Sequence, residues 1–373
     1  MLESPAVLRR SISAVLALAA AACAVRSLPA PSLFPMAQLW IAPLDAHIRG
    51  PLATDGRRVF VATGDGTLRG LDLLSGASVW RIENRPGVVS AREGLLVARG
   101  ALGTVWGMDP ATGSARWKTE TAIAGPLAAA FDGDRVVIAG EGIALLDAAS
   151  GKVLWSIPDE PKVGATPVAA GPCLLVPEEG GTLRCREPGT GRSIWTYETG
   201  GPLSAAPLVD NDGRVLLGTS ARMFVAVSLE KGHRQWRWKL GADVRTSPAI
   251  LDDLVVFASH EAVIYALRRG GGNLAWRATL PSRPLAPPLL LGEGVIVSCY
   301  GARPSENLLV GIDGRNGKRI GELRTPAEVQ GQPLLVGDRL LLPLRDLRVV
   351  AFQLAAPSDA DTPTPPPGAP PHP

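Results

Sequence analysis

The side chains that could carry chemistry are few and scattered. The four histidines are His47, His233, His260 and His372. None stands at metal-ligand spacing from another histidine, a cysteine or a carboxylate pair. No G-x-S-x-G elbow and no Walker loop occurs, and no helix follows the glycine run RRGGG (268–272). Asp132, Asp210, Asp252 and Asp253 fall where short strands reverse, so they read as solvated turn acids. Cys173 and Cys185 flank the turn PEEGG (177–181). Folding that hairpin symmetrically places them nearly opposite, close enough for a disulfide. The alternative is two small buried residues whose registers miss by one. Cys299 then stays free and buried. Arg49, Arg245 and Arg283, with Gln330, stand just ahead of short small-residue strands. In a ring they would converge near one channel mouth and favour an anionic segment or ligand. Scattered, solvated arginines are the plainer reading of the same residues.

What must position these groups is a repeat. Trp40, Trp80, Trp117, Trp155, Trp195, Trp236 and Trp276 recur every 37 to 41 residues. A period in that range marks a repeat architecture. A glycine stands four residues before each later tryptophan: Gly76, Gly113, Gly151, Gly191, Gly232 and Gly272. In three copies an aspartate (Asp72, Asp109, Asp147) precedes that glycine by four. An aspartate accepts backbone N–H groups in a tight turn, and glycine supplies the positive φ that reverses the chain. Each unit therefore reads as a small-residue strand, an aliphatic strand, an alternating strand and a tryptophan strand. Four short antiparallel strands per period make a propeller blade. Small residues and proline suit an innermost edge strand beside a crowded channel.

The count closes at eight. The seventh unit, DGRNGKRIGEL (313–323), has Gly321 where a tryptophan would stand. The eighth, ending in LRVVAFQL (347–354), lacks its fourth strand, and AQLWIAPL (37–44) has no blade before it. These leftovers complement each other. The expected fold is all-β: an eight-bladed β-propeller of four-stranded antiparallel blades over 37–355, closed by the N-terminal strand. The tryptophans are expected to pack as core between blades, and the ring to be a monomer.

The chain has 373 residues, is 46% hydrophobic and carries a net charge of +3. That charge gives no argument for nucleic acid. Arg9 and Arg10 precede the apolar run SISAVLALAAAACAV (11–25), which reads as a secretory signal over 1–24, too short to span a membrane. Cys23 follows small residues, so lipidation there and ordinary cleavage near 22–24 both stay open; acylation would give the only membrane contact. The tail 356–373 is rich in proline and reads as disordered.

The element DLLSGASVW (72–80), repeated as DPATGSARW (109–117), DAASGKVLW (147–155) and EPGTGRSIW (187–195), resembles the pyrroloquinoline-quinone-type propeller repeat. The resemblance covers residues 38 to 355. One branch of that superfamily, the quinone-dependent dehydrogenases, would imply a Ca²⁺ site, a catalytic aspartate and a vicinal cysteine pair. No Cys-Cys pair occurs, and the links between repeats are short. The other branch looks like the B subunit of the outer-membrane β-barrel assembly machinery, BamB. It implies a periplasmic, outer-membrane-associated lipoprotein, no catalysis, no cofactor, and envelope-protein partners in a β-barrel assembly complex. In that family docking uses longer loops with Leu, Arg and Asp. The matching stretches here, 196–207 and 237–248, are short, so no binding residue carries over. The expectation is a non-catalytic, exported binding scaffold. The alternatives are a quinoprotein dehydrogenase and a surface adhesin or sensor.

Overall fold

The computed structural model describes residues 34–84, 87–158, 161–301, 303 and 306–354. Its elements are strands, in eight antiparallel sheets. Seven sheets are built from consecutive strands, over 53–82, 88–120, 130–157, 168–198, 208–239, 249–279 and 283–324. They are blades 1 to 7. Blade 8 takes three strands from 334–354 and its outermost strand, Met36–Pro43, from the other end of the chain. The closing strand runs antiparallel to Arg348–Leu354, with Met36 opposite Leu354 and Pro43 opposite Arg348. The protein is an eight-bladed propeller sealed by its first strand. The signal segment with Cys23 and the tail 356–373 lie outside the described residues.

Burial follows strand position. Second and third strands are almost wholly buried, as in Leu95–Arg99 and Gly142–Asp147, because blades stack on both of their faces. Fourth strands alternate, with the tryptophan or its neighbour facing the next blade. Each fourth strand also carries a β-bulge at or just before the tryptophan position, Gly321 included. An extra residue there bends the outer strand and adds twist. The innermost strands differ from expectation in more than one blade, most fully in blades 7 and 8. There they are Leu289–Leu291 and Leu334–Val336, not small residues. Leu289, Leu291 and Leu335 pack into the apolar cluster between those blades, so bulky side chains fill that side of the channel instead of colliding.

Tryptophan anchors and the channel mouth

The tryptophans hold one blade to the next. The Nε1–H of Trp40, Trp80, Trp117, Trp155, Trp195, Trp236 and Trp276 donates to a backbone carbonyl of the following blade, at 2.6 to 3.1 Å. The acceptors (Leu73, Pro110, Ala148, Pro188, Leu229, Arg269 and Gly314) occupy one position in the turn between third and fourth strands. The glycine of that same turn lies flat against the indole. A Cβ on Gly76 would sit 2.5 Å from the Trp40 ring, and one on Gly151 2.4 Å from Trp117. Gly113, Gly191, Gly232, Gly272 and Gly317 repeat the arrangement. All seven have φ between 70° and 75°, so glycine is needed for both backbone and contact. The aspartate primes the turn: Asp72 accepts from the Leu74 and Ser75 N–H groups at 3.1 and 2.8 Å. Hydrogen bonding from Ser75 holds its carboxyl below the usual range, and Ser150 does the same for Asp147.

Asp210 and the cysteine pair depart from the sequence reading. Asp210 is not solvated: it is 5% exposed and meets Arg214 and Arg269 at 3.0 Å each. The inner turn of blade 5 is thereby latched to blade 6, a contact between residues 59 apart that no local pattern announces. Cys173 and Cys185 are not directly opposed either. Leu175 faces Cys185, so the cysteines are diagonal. Their Cα atoms are still only 5.3 Å apart, with the sulfurs at bonding distance, 1.99 Å. Cys299 is buried, and burial pushes its thiol up to about 12.

Links between blades and hairpins between second and third strands share one face, the channel mouth. A cavity of about 540 Å³ opens there, walled by blades 3 to 6. Gly164, Ser204 and Arg245 line it from three successive links. Each follows a buried aliphatic residue, Val163, Leu203 or Val244, that fixes the link in the core. Lys162 and Glu179, paired at 2.9 Å, and Glu141 line it as well.

The four residues expected to converge at the mouth divide into two groups. Arg245 and Arg283 both act on His260. Burial first, then these two positive charges, hold its imidazole below the usual value against the pull of Asp243. Gln330, in the link entering blade 8, reaches the link entering blade 1, donating from Nε2 to the Ile48 carbonyl at 2.9 Å, next to Arg49. The sequence reading missed Arg99, which is 1% exposed and donates to the carbonyls of Ile123, Leu127 and Ala139. Burial lowers its pKa to about 10. Placed at the end of the aliphatic run LLVAR, it looks like an ordinary solvated strand end. Among the described residues, no three His, Cys, Asp or Glu side chains are grouped to hold a metal ion, and no helix is long and apolar enough to cross a membrane.

The protein-family model described as outer membrane protein assembly factor BamB matches residues 37–158, 139–251 and 225–358, which together span the ring. The chain belongs to this BamB family. It is 23% identical over 320 residues to the BamB of Moranella endobia, a match covering 76% of this chain and 80% of that one. The crystal structure of BamB from Moraxella catarrhalis superposes with a TM-score of 0.72 at 19% identity, covering 86% of this chain and all of that one, 100%. The quinohemoprotein alcohol dehydrogenase from Comamonas testosteroni also superposes, with a TM-score of 0.68 at 13% identity, covering 87% of this chain and 77% of that one. At those identities the superpositions speak for the fold alone.

Proposed function

We propose that this ring is a non-catalytic scaffold in the assembly of outer-membrane β-barrel proteins, exported to the periplasm and docking an envelope partner at its channel mouth. The observation that carries this reading is the family match, which runs unbroken round the blades. The mouth supplies the place. Stretches 196–207 and 237–248, which correspond to the family's docking loops, lead into the cavity through Pro202, Leu203, Ser204 and Arg245.

The topology supports an orientation as well. Met36 and Leu354 are paired neighbours, so the closing strand and the last strand meet on the face opposite the mouth. A lipid at Cys23 would tether that far face and leave the mouth turned toward the periplasm.

Affinity purification of the tagged full chain from detergent-solubilised envelope tests the docking claim. Enrichment of a barrel-inserting protein over an unrelated lipoprotein bait is expected, and its absence overturns the reading. Catalysis is tested separately. Quinone and Ca²⁺ added to the purified chain should give no dye-linked oxidation of alcohols or sugars, and stoichiometric turnover would reverse the assignment.

A further inference from the structure

We propose that the cavity at the mouth of blades 3 to 6 binds an extended peptide segment through one acidic side chain, with Arg245 as the carboxylate clamp. This deepens the docking reading above and rests on it only for the peptide belonging to a partner.

Three successive links build the site. The position after the buried aliphatic residue carries Gly164, then Ser204, then Arg245. Two short side chains leave a void, and the third puts a guanidinium at its edge. That guanidinium is already oriented. Its Nε donates to Asp243, whose other oxygen lies 3.5 Å from His260 Nδ1. Among the described residues the Nη groups of Arg245 have no hydrogen-bond partner, and the side chain is 58% exposed. Two parallel N–H groups held in place match a carboxylate in bidentate fashion, and little side-chain freedom remains to be lost on binding.

The rest of the wall selects the ligand. Pro126, Leu127 and Pro202 offer apolar surface for neighbouring side chains. Glu141 and Glu179 also line the cavity, with Lys162 paired to Glu179. They repel a multiply charged anion and attract a cationic group. A peptide with one acidic residue, apolar neighbours and a basic residue complements this lining. A bare phosphate fits only the clamp.

The test uses the purified full chain and a rhodamine-labelled tetrapeptide amide of lysine, leucine, aspartate and leucine, read by fluorescence anisotropy. A twin peptide carries asparagine for aspartate. The aspartate peptide is expected to bind about tenfold more tightly than its twin. Arg245→Gln should abolish that preference and Arg245→Lys should restore part of it. Equal binding of the twins, a preference that survives Arg245→Gln, or no binding at millimolar peptide overturns the proposal. Envelope co-purification with Arg245→Gln separates the two claims. If the wild type captures a barrel-inserting protein and the variant captures it equally, docking stands and the clamp falls. If the wild type captures none while the aspartate preference holds, the clamp stands and the docking reading falls.

Discussion

Seven of the eight joints in this ring are clamped by tryptophan, and the joint between blades 7 and 8 is not. In a clamped joint the indole lies on a turn glycine of the next blade and hydrogen-bonds a carbonyl of that same turn, as Trp276 does with Gly317 and Gly314. Both partners come from the connection between third and fourth strands. Blade 8 has no such connection, because its fourth strand is the first of the chain. Among the described residues no such turn is there to receive an indole, and blade 7 carries Gly321. The Phe34 ring covers that glycine instead, in an apolar cluster with Met36 and Leu323. The tryptophan and its receiving turn thus behave as one unit, lost together. At the seam, backbone pairing from Met36 to Pro43 replaces the missing covalent turn.

The largest effect should come from removing that replacement. Deleting residues 34–43 strips blade 8 of its outer strand and exposes the edge at Arg348–Leu354. The chain should aggregate or fail to give a cooperative thermal transition, read by circular dichroism and size-exclusion chromatography. A monodisperse ring melting like the wild type would show that the strand is an accessory. Next comes a clamp itself. Trp117 is 9% exposed, and Trp117→Ala should cost about 3–5 kcal/mol in urea denaturation. Trp155 is only half-buried, so Trp155→Ala should cost less.

This contrast also marks what the sequence made legible. Trp40 without a preceding blade, and LRVVAFQL without a following strand, are enough to pair the ends of the chain. The period is written in residue types because each clamp demands an indole and a glycine. The mouth is not written that way. Arg245 is one arginine among many, and its meaning comes from Gly164 and Ser204 at equivalent points of the neighbouring links. Asp210 looks like any turn acid until Arg269, from the next blade, is brought against it. Arg99 escapes for the same reason: the three carbonyls it satisfies lie 24 to 40 residues away. Repetition shows in composition, whereas one-off contacts between blades appear only once the ring has closed.

Glycine substitutions sharpen the comparison at smaller scale. Gly151→Ala forces φ +72° on a residue with a Cβ and drives that atom to 2.4 Å from the Trp117 ring. The indole is hydrogen-bonded to Ala148 and cannot step aside, so a loss of about 2–3 kcal/mol is expected in urea denaturation. Gly321→Ala meets Phe34 at 2.6 Å, without a positive φ. Only the close contact has to be relieved there, without backbone strain, so the loss should be smaller, about 1 kcal/mol. Equal losses would mean that the seam is as rigid as the clamps.

Acid should discriminate weakly but in a defined direction. Asp72, Asp109, Asp147 and Asp313 sit in receiving turns, and side-chain hydrogen bonds from Ser75, Arg116, Ser150 and Arg315 hold their carboxyls below the usual value. A carboxyl depressed in the folded state binds fewer protons there than when unfolded. Its stabilisation is complete above the unfolded value of about 3.9 and disappears as pH falls through the lower folded value. The clamped joints should therefore loosen below about pH 4, while the seam, which has no such turn, contributes nothing to that loss. Urea midpoints at pH 6 and pH 3 measure it. Asp147→Asn keeps an acceptor for the Ser150 N–H but cannot titrate, so the drop between the two pH values should shrink. Phe34→Ala lowers both midpoints and should leave the drop unchanged. If instead the seam variant alters the pH dependence and the turn variant does not, the acid-sensitive element lies outside the clamps, and the division between seven joints and one loses its electrostatic half.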